Sequence, residues 1–124
     1  MLVLRTAIAA AVLVSLAGAA QAAGDAAKGK VLFQRCAICH HAEKDGGNGL
    51  GPNLFGVVGR KAGTVENFAY SSAMKNSGIT WTPDKLTAYI EHPAAVVPGN
   101  RMAFAGIGNA EQRADVVAYL ATLK

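Results

Sequence analysis

Five consecutive residues, Cys36-Ala37-Ile38-Cys39-His40, carry the clearest chemistry in this chain. Two thiols three positions apart lie on one helical turn, so both sulfurs can reach the same edge of one flat macrocycle. Added across the vinyl groups of a haem they form thioethers, and the imidazole that follows is held beneath the iron as an axial ligand. This is the C-x-x-C-H pattern of covalent c-type haem attachment. Cys36 and Cys39 are the only cysteines, so neither has another partner within the chain. Two other chemistries share part of the spacing. A dithiol redox pair belongs in a βαβ context and has no use for the following histidine, and no strong strand pattern follows here. A structural zinc site takes four ligands, usually with a second closely spaced pair. The remaining histidines are His41, adjacent to His40, and the distant His92. The motif reads as one covalently bound haem c per chain, with His40 as an iron ligand.

A haem attached in this way leaves one axial position to fill. From Pro93 to Gly108 the sequence loses periodicity across a stretch with two prolines and three glycines. Irregular segments of this length are uncommon in a small domain unless they do a job. Met102 stands at its centre. Methionine fills core gaps more often than it ligates, but Met102 lies on a loop, whereas Met74 falls in a predicted short helix and reads as core. A thioether is a soft ligand that favours ferrous iron and raises the potential. A bis-imidazole site using His92 is the alternative; His41 and His92 read instead as solvated or supporting residues.

The elements that must position these groups are helical. Asp25 predicts an N-cap for a helix from about Ala26 to Ala37, with Leu32 and Phe33 facing inward and the cysteines at its end. From Glu43 to Gly63 frequent glycines read as loop. A short helix is expected near Ser71 to Asn76. Thr82-Pro83-Asp84 opens another to about Glu91, with Thr82 as cap and Pro83 as first helical residue; Pro93 ends it. Asn109 caps a last helix to about Leu123, whose Val116, Val117, Tyr119, Leu120 and Leu123 fall roughly on one face.

Residues 1–22 have the layout of a cleaved secretory signal peptide: Arg5 near the start, an apolar stretch from Ala7 to about Leu16, and an Ala20-Gln21-Ala22 cleavage site. The stretch is short for a membrane anchor, and Gly24, Asp25 and Lys28 follow soon after. Export to the periplasm suits haem attachment, because an exported C-x-x-C pair otherwise tends to close as a disulfide. Residues 23–124 then form one small domain that buries little apolar surface unaided, so folding should lean on the haem. The formal charge is +4, or +3 once Arg5 is removed with the leader. Its basic residues are scattered, without the dense stripe and stacking aromatics of a nucleic-acid binder. They suit mild steering towards acidic proteins.

Ordered motifs run through the rest of the chain: Gly29-Lys30-Val31-Leu32-Phe33 before the haem motif, then Gly51-Pro52-Asn53-Leu54 and Gly56-Val57-Val58-Gly59-Arg60-Lys61. Phe68-Ala69-Tyr70-Ser71, Gly78-Ile79-Thr80-Trp81 and Tyr89 follow, then Pro98-Gly99-Asn100-Arg101-Met102, Phe104-Ala105-Gly106 and Val117-Ala118-Tyr119-Leu120. In this set the chain resembles the class I cytochromes c of the mitochondrial and purple-bacterial branch, over nearly the whole segment after the leader. The resemblance implies an all-α class I cytochrome c fold, several helices and long loops wrapped around one covalently bound haem. It implies that the Pro52 carbonyl accepts from His40, and that Arg60, Tyr70 and Trp81 donate to an inward-facing haem propionate. It further implies that the Tyr89 hydroxyl approaches the Met102 sulfur and that Phe104 lies beside the haem edge. Gly29 and Tyr119 match the crossing of the first and last helices. The chain departs from the family at Asn100, an amide that can still donate to a propionate where Thr is common, at Ala94 and Ala95, where docking lysines are common, and at Met74, a frequent Asn.

The function so implied is a monomeric, soluble periplasmic one-electron carrier with His40/Met102 ligation, not an enzyme. Its donor would be a quinol-oxidising membrane cytochrome complex or a periplasmic dehydrogenase. Its acceptor would be a terminal oxidase or a photosynthetic reaction centre, met by transient docking. The rival is a peroxidase-like haem enzyme or gas sensor in which Met102 leaves the iron.

Overall fold

Asp25 opens the first helix through its side chain: Oδ1 accepts from the amides of Ala27 at 2.9 Å and Lys28 at 3.1 Å. A helix cannot pair its first amides internally, so a short acceptor at this position fixes where it starts. The computed structural model describes residues 24–124; the leader expected at 1–22 lies outside the described residues. Helix α1 spans Ala26–Leu32 and α2 spans Gln34–Ala37.

The single helix expected from Ala26 to Ala37 is therefore divided at Phe33. The amide of Cys36 bonds back to Phe33 O at 2.8 Å and that of Cys39 to Cys36 O at 3.0 Å, the three-residue step of a tightened turn. In such a turn side chains at i and i+3 eclipse, which suits Cys36 and Cys39 to a common face. Phe33 itself is buried in the core.

The next three helices follow their caps. Helix α3 (Ser72–Lys75) starts where Ser71 Oγ accepts from Met74 N at 3.0 Å. Helix α4 (Pro83–Glu91) starts where Thr82 Oγ1 accepts from Lys85 N at 3.2 Å. Helix α5 (Pro93–Val96) corrects the expectation of an irregular stretch beginning at Pro93. The ring presets φ and removes an amide that a first turn leaves unpaired anyway, so the proline that ends α4 also begins a turn of helix. Asn109 caps α6 (Ala110–Ala121) through Oδ1 to Gln112 N at 2.9 Å. No strand occurs among the described residues, only an isolated bridge between Lys61 and Thr80.

The tightest packing is the crossing of α1 and α6. Gly29 is buried there, and a methyl group on it would collide with the Asp115 backbone and come within 2.9 Å of Tyr119 Cβ. Phe33 packs on Tyr119 with ring centroids 5.1 Å apart. The buried Asp115 carboxylate accepts from Asp25 N at 2.7 Å, tying the start of α1 to α6. Val116, Val117 and Leu120 of α6 join Leu86 and Ile90 of α4 and Ile107 of the loop in one core. Gly29→Ala should destabilise the holoprotein by about 1–3 kcal/mol through overpacking, read as a lower denaturant midpoint at unchanged slope. An unchanged midpoint would mean that the helices separate freely and that the close crossing is not what holds them.

Candidate haem site

The attachment motif leaves α2 and enters a loop that folds back on it. His40 Nδ1 lies 2.7 Å from Pro52 O. A carbonyl only accepts, so Nδ1 carries the proton and Nε2 keeps the lone pair for a metal. Gly51, just before Pro52, is buried against the same ring. A Cβ there would sit 2.7 Å from Nδ1 and 2.8 Å from Nε2, inside contact distance, and its amide holds Cys39 O at 2.8 Å. Gly51 thus walls the imidazole while Pro52 anchors it. Burial pushes the His40 imidazole below its ordinary pKa, with the Pro52 carbonyl opposing and the Arg60 charge adding to the fall. That direction favours the neutral imidazole, the form that ligation requires.

Cys36 and Cys39 are both free and half-buried. Burial pushes the Cys36 thiol up, against the lowering influence of Arg35. A catalytic dithiol needs the opposite shift, so the environment argues against the redox-pair reading.

Met102 is half-buried against the core. Asn100 closes its loop from within: Nδ2 donates to Val97 O at 2.9 Å and Oδ1 accepts from Met102 N at 2.9 Å. Its oxygen and one N–H are thus spent on shaping the Met102 loop, and a second N–H stays free for another acceptor. The Tyr89 hydroxyl lies 4.0 Å from Met102 Sδ. Burial pushes that phenol up to about 12, so it remains a donor across the physiological range. Its ring packs on Trp81, centroids 4.9 Å apart.

Arg60 and Trp81 are joined by backbone bonds: Trp81 N to Arg60 O and Gly59 N to Trp81 O, both 2.8 Å. The Arg60 guanidinium donates to Phe55 O at 3.2 Å. Burial lowers its pKa, with Tyr70 opposing, and it has no carboxylate partner among the described residues. Tyr70 accepts from Val65 N at 3.0 Å, which leaves its own proton to donate. No acceptor among the described residues takes the Trp81 indole N–H. A half-buried cation without a carboxylate, coupled to a tyrosine that keeps a proton to donate, calls for an anion. Met74 packs against the core as expected, His41 is exposed with Nδ1 at 2.8 Å from Gly46 O, and His92 is exposed.

These residues fit a haem. A nitrogen lone pair, a thioether near a phenol, two thiols on one turn and donors without an acid are the groups that a haem's iron, vinyl groups and propionate would take. One residue that supports the site is not singled out for this by the sequence: Gly51 is legible only as part of a motif, since its role is steric.

Residues 26–124 match the family model described as cytochrome c. A cytochrome c2 of Rhodomicrobium vannielii is 52% identical over 103 residues, covering 83% of this chain and 82% of that protein. A cytochrome c of Gibberella zeae is 51% identical over 100 residues, covering 80% of this chain and 94% of the relative. Among solved structures, cytochrome cH from Methylobacterium extorquens superposes with a TM-score of 0.75 at 43% identity, over 80% of this chain and 99% of the other.

Proposed function

This chain belongs to the cytochrome c family and has the class I cytochrome c fold, and we propose that it works as a soluble one-electron carrier with a single haem c. Cys36 and Cys39 would hold the haem covalently, with His40 and Met102 as axial ligands. What supports the reading is that the chain holds both candidate ligands, the His40 ring on Pro52 O and the Met102 backbone on Asn100 Oδ1, with the Met102 sulfur 4.0 Å from the Tyr89 hydroxyl. A haem bound here supplies a one-electron ferric/ferrous couple. His40 cannot turn without breaking its bond to Pro52 and striking Gly51. Asn100 holds the Met102 backbone, while Tyr89, protonated throughout, gives the sulfur a weak donor. Ligands fixed in this way change little on electron exchange, which keeps reorganisation small. Arg60, Tyr70 and Trp81 would neutralise a propionate that would otherwise be buried unpaired.

A carrier of this kind would be no enzyme, because His40 and Met102 would leave the iron no position free for a substrate. The leader supports export to the periplasm, and no helix among the described residues is long and apolar enough to cross a membrane. The partners would be a quinol-oxidising cytochrome complex or periplasmic dehydrogenase on one side and an oxidase or reaction centre on the other. Potentiometric titration of the purified protein tests the reading. A single reversible one-electron wave at positive potential is expected, from haem that survives acid-acetone extraction. Haem released by that extraction would refute the covalent site.

A further inference from the structure

The loop that carries Met102 is held differently at its two ends. Asn100 closes the entry from within the loop. The exit, Gly106-Ile107-Gly108, has no side chain able to hydrogen-bond, so other elements must hold it. Gly106 takes φ +105 and lies against the carbonyls of Ile90 and Glu91, leaving no room for a Cβ. The Ile107 amide donates to Ile90 O at 2.9 Å, and its side chain is in the core. The third tie is Arg113, in the first turns of α6. Its Nη1 donates to Ile107 O and to Gly108 O, each at 2.9 Å, and its Nη2 lies 3.8 Å from Glu91 Oε2. The Arg113 side chain is only 11% exposed, and its Nε–H is buried without a partner. A buried, unpaired donor is costly, so what the guanidinium does at its other end must outweigh it. That end joins three things: the exit of the ligand loop, the start of α6, and the last turn of α4. The same stretch of α4 carries Tyr89, whose hydroxyl approaches the Met102 sulfur. A cation at the C-terminal end of α4 also suits the carbonyl dipoles exposed there.

We propose that Arg113 is a positioning residue for Met102, tying the exit of its loop to α4 and so setting how rarely the sulfur leaves the iron. This rests on the Met102 ligation proposed above. Loop release must break the two carbonyl bonds of Arg113, and the open state is populated in inverse proportion to that cost.

The test is imidazole binding to the ferric holoprotein at neutral pH, followed together with the methionine-to-iron charge-transfer band. Exogenous imidazole binds only after Met102 departs, so its apparent affinity scales with the open fraction. Arg113→Gln should raise that affinity about tenfold or more, the loss expected for charge-assisted bonds. Arg113→Lys, which keeps the charge but not the planar fork, should fall between. Asp25→Ala, which removes the cap of α1 away from the loop, controls for general destabilisation. An affinity unchanged in both Arg113 variants, or raised no further than in Asp25→Ala, would overturn the proposal. If Arg113→Gln gives no holoprotein, Arg113→Lys decides by the same comparison. A native protein without the charge-transfer band would sink the Met102 reading, and this proposal with it, before any variant is measured. A native band with unresponsive Arg113 variants sinks the proposal alone.

Discussion

Met102→Ala should keep its haem through acid-acetone extraction, lose the methionine-to-iron charge-transfer band and bind cyanide at once. Its midpoint potential should fall by on the order of a hundred millivolts or more, within the ~0.8 V over which axial ligands set haem potentials. The physical reason is the softness of the thioether, which stabilises the ferrous state more than the ferric. Water or another hard donor in its place reverses that preference. Attachment should survive because the thioethers and His40 belong to a different part of the chain, Cys36 to Pro52, with its own hydrogen bonds. A variant with unchanged potential and an unchanged band would show that Met102 is not the ligand. Met74, packed against the core from α3, would then be the sulfur to test.

His40→Ala should act earlier, on maturation. The imidazole is oriented by Pro52 and confined by Gly51, so the proposed ligand would be in place beside the two thiols before any metal arrives. Removing even a supporting partner of a metal ligand costs about 10–100-fold in affinity or activity, and removing the ligand itself should cost at least as much. Holoprotein yield should therefore drop at least tenfold, and what survives should be high-spin. Normal yield of low-spin protein would refute the assignment. Imidazole added to surviving protein should restore a low-spin spectrum, because the cavity beside Pro52 remains.

Much of this arrangement was legible in the sequence because it depends on local chemistry. Asp25, Thr82 and Asn109 each accept from an amide two or three residues on, so the starts of α1, α4 and α6 could each be read from one short polar side chain. The attachment motif is equally local, with five residues specifying both thiols and one ligand. The break at Phe33 was hidden because a turn that tightens for one residue leaves no trace in periodicity. The turn of helix at Pro93 was hidden because proline marks ends and starts alike. Asn100 was read by comparison with a threonine, and only the folded loop shows its amide bridging Val97 and Met102. Arg113 was the least legible. Its hydrogen-bond partners are backbone carbonyls at Ile107 and Gly108, and a carbonyl has no residue type to betray it. Asp115 did carry a signal, a lone acid beside Val116 and Val117 on the apolar side of α6, and it proves to receive the Asp25 amide.

With His40 on one face of its haem and Met102 on the other, this chain would leave no open iron. Carbon monoxide binds only an open iron, so adding it to the ferrous holoprotein at neutral pH decides whether both faces are closed. A spectrum that stays unchanged over minutes is the predicted result, with binding appearing only in Met102→Ala. Immediate binding to the native protein would contradict the account and make this a haem protein with an open, reactive site.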